Sequence, residues 1–165
     1  MENLIEAIRK SCETENWHAA LYIALTMPDI CAGIENPGTT SKGVRYKAWF
    51  DEYLRQAFVG NGSFCFLTAD DCWALRNSLL HEGSDMLQGA KAIVSQVKFT
   101  TLNMHRCRVE DVALFNVAAF CGDVIKAVQT WLERKGSDPE IAERLSAMAR
   151  VEKSTFDIGL VRFGR

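Results

Sequence analysis

The stretch 71-DCWALRNSLLHEG-83 holds the three residues whose types and spacing bear most on chemistry: Arg76, Asn77 and His81. A guanidinium offers paired N–H donors to an anion. An imidazole titrates near neutral pH and so serves in general acid–base steps. At about 100° per residue, Cys72, Trp73, Leu75, Leu79 and Leu80 span one apolar arc of about 160°, with Arg76 near its middle. Burying an unpaired guanidinium there is costly, so Arg76 needs either an acid partner or a task. Asn77 and His81 are four apart and share a helix edge. Arg76 and His81 are five apart and point about 140° from each other. In a regular helix they do not converge; a second copy facing the first across a two-fold axis would bring them together.

The elements that must position these residues can be read from periodicity. Leu4, Ile5, Ile8 and Cys12 lie on one face of a first helix. A second runs from Trp17 to about Ile34, capped by Asn16, with Pro28 expected to kink or divide it near Met27. The loop 35-ENPGTTS-41 is a break. A third helix, with Ser41 as its cap, carries the core stripe Tyr46, Trp49, Phe50, Tyr53 and Leu54, and 60-GNGS-63 ends that region. Thr68 and Asp71 form a capping box for the helix of Arg76, and Gly83 sits where its left-handed terminator belongs. Then the period changes. Apolar residues alternate around 94-VSQVKFTTL-102 and again in 109-VEDVALF-115, which predicts an antiparallel β-hairpin over about 94–115, with the basic loop 103-NMHRCR-108 at its tip. Asn116 caps a long helix with the stripe Val117, Phe120, Cys121, Val124, Ile125, Val128, Trp131 and Leu132. Asp138-Pro139-Glu140 starts a short helix, and 156-FDIGLVRFGR-165 alternates weakly, as an added strand or a loose tail. The expectation is one mainly α domain over 1–165: a bundle over 1–135 carrying the hairpin, then a short helix and tail over 136–165.

Bulk properties exclude several classes. The chain has 165 residues with a formal net charge of -2, so no global field draws in nucleic acid and any such contact needs a local basic patch. The six cysteines form no CxxC pair and read as reduced core residues, consistent with a cytoplasmic location. His105 and Cys107 alone do not make a zinc site. No cofactor motif is present. MENLIEAIRK lacks the basic start and apolar centre of a signal peptide, and 19-AALYIALTM-27 is too short to span a bilayer.

Arginine, a polar residue and then histidine on a late bundle helix resembles the signature of the HEPN superfamily (higher eukaryotes and prokaryotes nucleotide-binding domains). The wider chain, through 24-ALTMPDICAGIENP-37, 45-RYKAWFDEYL-54 and 72-CWALRNSLLHEGSD-85, is also similar to an uncharacterised bacterial protein family over roughly 1–135. The HEPN resemblance implies a dimeric helical bundle, and for many members a metal-independent ribonuclease of toxin or defence type. It also implies, for some, a nucleotidyltransferase-type partner protein or a non-catalytic binding and adaptor role. Carried onto this chain, the chemistry would be attack of a ribose 2′-hydroxyl on the adjacent phosphorus. His81 would move the proton, Arg76 would stabilise charge on the phosphoryl oxygens, and Asn77 would orient the imidazole or the phosphate. His105, Arg106 and Arg108 would contact RNA phosphates from the hairpin tip. The hairpin departs from a plain HEPN bundle.

Purely structural alternatives stand beside these roles. Arg76 can pair with an acid such as Glu35, Asp51 or Asp71; since Asp71 lies about 140° away on the same helix, an acid on another helix fits better. His81 can simply bond a terminal carbonyl. The 105-HRCR-108 cluster can be a solvated tip, and Trp49, Trp73 and Trp131 are core residues.

Overall fold

Apolar stripes on successive segments leave one long helix to be covered on several sides, and the chain does this with α2. The computed structural model describes residues 1–38, 41–60, 64–88 and 91–151, together with the backbone of 156–157 and 162–163. Helix α1 spans Glu2–Glu13, α2 Trp17–Glu35, α3 Lys42–Trp49, α4 Ala69–Asn77, α5 Val117–Lys135 and α6 Pro139–Ser146. Helix α2 packs against α1, α3, α4, α5 and α6. Its Ala20, Leu21, Ala24, Leu25, Met27, Cys31 and Ala32 are buried, which is why its sequence is apolar nearly all round. The helix runs unbroken through Pro28, contrary to the expected division. Pro28 is itself buried, so tertiary packing holds the helix across the missing N–H.

The caps follow the sequence. Asn16 accepts from the Ala19 N–H, Asn116 from Ala119, and Asp138 from Glu140 and Ile141. Ser41 sits at the cap position of α3 but makes no side-chain bond there. Thr68 and Asp71 close the capping box. Asp71 is fully buried and also accepts the backbone N–H groups of Ile93 and Val94, at 2.7 and 3.3 Å. One carboxylate thus ties the start of α4 to the entry of the sheet.

Two helices loosen at their C-terminal ends. Helix α3 passes into a π-helical turn over Phe50–Leu54 and then a 3-10 turn over Arg55–Phe58. Helix α4 passes into a π-helical turn over Ser78–Glu82, ended by Gly83 at φ +66°.

The sheet lies where alternation placed it, but its pairing differs from a simple hairpin. Strand β1 is Gln96–Thr100, β2 Cys107–Val109 and β3 Val112–Asn116, in the order β1-β3-β2. Strand β1 runs parallel to β3, from Gln96 opposite Val112 to Thr100 opposite Asn116, and β2 runs antiparallel to β3. Alternation identifies a strand without stating its direction, and the segment read as a hairpin tip instead supplies the edge strand β2. The tight turn is at Glu110-Asp111, with Glu110 at φ +56°. The sheet joins the bundle through aromatic contacts: Phe58 lies 5.4 Å from Phe115 and 5.6 Å from Phe120, and Phe99 lies 5.2 Å from Phe120, between ring centroids. Each such buried ring contributes roughly 1.5–3 kcal/mol. The short strands β4 (Phe156–Asp157) and β5 (Arg162–Phe163) pair with each other and not with this sheet; the rest of the tail lies outside the described residues.

Candidate functional site

Arg76 ends α4 and His81 lies in the π-helical turn that follows. In that turn hydrogen bonds run from i to i+5 instead of i to i+4, so residues five apart draw toward each other. Arg76 Nη1 is 3.2 Å from His81 Nε2 and 3.0 Å from Asn77 Oδ1. The expectation that this pair needs a second copy to converge is therefore corrected: one chain brings all three residues together, because the helix widens where a regular α-helix would hold them apart.

Protonation follows from the contact. Arginine only donates, so the short distance is favourable when His81 Nε2 presents its lone pair and the proton sits on Nδ1. The guanidinium's other arm reaches a different helix: Arg76 Nη2 is 3.1 Å from Asp29 Oδ2 on α2. Glu35, Asp51 and Asp71 are occupied elsewhere. Glu35 accepts from Trp131 Nε1 and pairs with Lys135; Asp51 lies near Arg55; Asp71 holds the capping box. The acid on another helix is thus present, under a number the alternation of α2 did not single out. Asp29 is shared with Arg45 of α3, whose Nη2 is 3.7 Å from Oδ1. Two guanidiniums against one carboxylate leave the cluster net positive.

Asp29 and Arg45 are the site residues that sequence reasoning missed. A signal for Asp29 exists. It is the single Asp, Glu, Lys or Arg between Trp17 and Ile34, a charge on an apolar helix, as Arg76 is.

Around the cluster, Trp73 is a platform. Arg76 Cζ lies 5.6 Å from its ring centroid, and Tyr46 lies 5.1 Å away. Gly43 leaves room for the indole: an added Cβ would stand 3.1 Å from its ring atoms. Tyr46 is buried, donates toward the Leu25 carbonyl at 3.5 Å and contacts Cys72 Sγ at 3.2 Å. Burial pushes the Tyr46 hydroxyl well above its ordinary value, and pushes the Cys72 thiol up to about 12. The floor of the site is therefore neutral. On the outer side, a cleft of about 240 Å³ is lined by Asn77 together with Asp70, Trp73, Gln88 and Lys91, but not by Arg76 or His81. His81 is exposed.

The loop cations are placed differently. His105 Nε2 is 3.0 Å from Asp123 Oδ2, and Arg106 Nη2 reaches both Asp123 oxygens at 2.8 and 3.0 Å. Arg108 donates to the carbonyls of Glu110, Cys65 and Ile93. His105, Arg106 and Arg108, expected to reach RNA phosphates or to form a solvated tip, are part-buried and have internal partners: they clasp the sheet to α5 and to the segments before it. Among the described residues no three His, Cys, Asp or Glu side chains stand close enough to hold a metal ion. No described helix is long and apolar enough to cross a membrane.

No family model, curated protein or solved structure matches this chain.

Proposed function

We propose that the chain is a HEPN-like, metal-independent endoribonuclease that cleaves RNA through its own 2′-hydroxyl, with Arg76, Asn77 and His81 as the working residues. The observation that carries this reading is the 3.2 Å approach of Arg76 Nη1 to His81 Nε2 on an exposed helix end. A phosphate arriving at Arg76 takes its Nη1 donors and frees the Nε2 lone pair. His81 then accepts the 2′-hydroxyl proton as the oxygen attacks phosphorus. The 5′ oxygen of the next nucleotide leaves and takes a proton from water, a 2′,3′-cyclic phosphate remains, and His81 returns its proton to solvent. Arg76 holds the phosphoryl oxygens through charge-assisted bonds. Because one chain assembles the three residues, the mechanism does not depend on a homodimer. A homodimer or a nucleotidyltransferase-type partner belongs to this proposal only as what the family resemblance implies, and either would regulate or deliver substrate.

Purified protein incubated with RNA in EDTA tests the reading. Cleavage leaving cyclic phosphate ends is expected, and His81→Ala should abolish it in a folded protein. Cleavage that needs Mg²⁺, or that survives His81→Ala, counts against the mechanism. A second reading, a non-catalytic RNA-binding or adaptor module, is favoured by the Asp29 contact, which already occupies Arg76. It predicts RNA binding without cleavage.

A further inference from the structure

We propose that Arg45 and Arg76 form one phosphate-binding pair, in which the Asp29 carboxylate holds the phosphate's place until substrate arrives. The inference rests on the reading of the Arg76 site as one that takes RNA.

The cluster is rich in donors and poor in acceptors. Each guanidinium carries five N–H donors and no acceptor. Facing them are one carboxylate, Asn77 Oδ1 and His81 Nε2. Arg45 is drawn to Asp29 but stands 3.7 Å away, past hydrogen-bonding range. Among the described residues Asp29 Oδ1, Arg45 Nε and Arg76 Nε are buried with no hydrogen-bond partner. Arg106 Nε of the sheet cluster is too, so the open carboxylate oxygen is what sets Asp29 apart. An ion pair built only to hold helices together would satisfy both carboxylate oxygens, as Arg106 Nη2 satisfies those of Asp123 at 2.8 and 3.0 Å.

A guanidinium fork fits a carboxylate and a phosphate by the same geometry. The place now taken by Asp29 is thus shaped for a phosphodiester, which brings two non-bridging oxygens and a full negative charge. The pair is also reachable, since the Arg45 and Arg76 side chains keep 18% and 17% of their surface exposed. The Arg45 guanidinium lies along α2 beside Gly33, one turn beyond Asp29, where an added Cβ would stand 3.4 Å from Arg45 Nη2, about ordinary contact distance. Arg45 then becomes a second residue binding substrate, and Asp29 an internal competitor that keeps stray anions off His81.

Inorganic phosphate, titrated against chloride at matched ionic strength into the whole chain, tests this through the arginine Nε–H signals in NMR spectra. Wild type should bind weakly. Asp29→Asn should bind at least about tenfold more tightly, the competing charge being gone. Adding Arg45→Met to that variant should erase the gain. If Asp29→Asn does not fold, Arg45→Met alone decides the matter. It leaves a charge-balanced Asp29–Arg76 pair, should keep the native circular dichroism, and should lose the phosphate response at Arg76. Equal phosphate affinity in folded Asp29→Asn and wild type overturns the proposal, as does a response indifferent to Arg45→Met. Phosphate binding that follows Arg45 and Asp29 without RNA cleavage supports the pair and defeats the nuclease reading. His81-dependent cleavage with phosphate binding indifferent to Arg45 does the reverse.

Discussion

Two clusters in this protein are built from the same parts, an arginine, a histidine and an aspartate, and they end in opposite states. At the sheet, His105 and Arg106 both bond to Asp123, and both oxygens of that carboxylate are satisfied. At the end of α4, His81 pairs with no acid among the described residues. It faces Arg76, whose aspartate is shared with a second arginine. Residue types alone do not separate a clasp from a site. What separates them is whether the imidazole's partner is an anion that fixes it or a cation that leaves it in need of one. The clasp also carries backbone strain: Arg106 sits at φ +58°, a conformation that costs a non-glycine residue roughly 1–2 kcal/mol. The bidentate contact with Asp123 offsets it.

The largest expected effects break the comparison directly. His81→Ala should reduce RNA cleavage by about 10²–10⁴-fold, the usual worth of a general base, while moving unfolding free energy by no more than about 0.5 kcal/mol. His105→Ala should do the opposite, leaving cleavage intact and lowering stability by about 1 kcal/mol. Parallel assays of rate and urea unfolding on the two variants check this. If both lose activity alike, the clusters are not distinct.

Next in size is the acid of the clasp. Asp123→Ala strands a part-buried arginine and histidine and should cost about 2 kcal/mol, less than a fully buried pair because Arg106 is 38% exposed. Chemical denaturation reads it, with phosphate binding at Arg76 unchanged as the control.

Alkaline pH sharpens the comparison from beneath the site, where Tyr46 and Cys72 are buried together. Burial raises the Cys72 thiol from 9.0 to about 12, and raises Tyr46 well above 10.0. Both groups stay protonated in the fold and ionise sooner once exposed. Their contribution is whole below pH 9 and is lost as pH rises toward 12. Urea midpoints under reducing conditions should fall across that window, and Tyr46→Phe should make the fall shallower.

The smallest effect expected is at the end of the π-helical turn. Gly83→Ala places a Cβ on a residue at φ +66° and should cost about 1 kcal/mol. Thermal unfolding measures it. Any fall in cleavage beyond the loss of folded protein would show that this turn sets the position of His81.

Much of the frame was legible because its causes are local. Asn16, Asn116 and Asp138 cap helices within three residues of themselves, and Thr68 with Asp71 does so reciprocally. Of the Tyr46, Trp49, Phe50, Tyr53 and Leu54 stripe all but Tyr53 are buried, Tyr53 being half-buried, and the mainly α class follows from such stripes. Arg76, Asn77 and His81 stood out because a charge on an apolar arc demands an explanation, and they do meet. Their manner of meeting was not legible. Nothing in the identity of residues 78–82 marks a π-helical turn, which depends on how α4 is held against α2 and α3.

By itself, then, the chain determined where helices begin and end, which faces are buried, and that Arg76 must have a partner, since these follow from interactions within about four residues and from the aversion of apolar surface to water. Only the tertiary structure decided who that partner is, 47 residues away in sequence. It also decided that β1 runs parallel to β3, that His105 and Arg106 turn inward to Asp123, and that a widened turn draws His81 to Arg76. The reason is physical. Pairing of distant charges and the direction of strands are chosen by packing the whole core at once, and no local pattern encodes that choice.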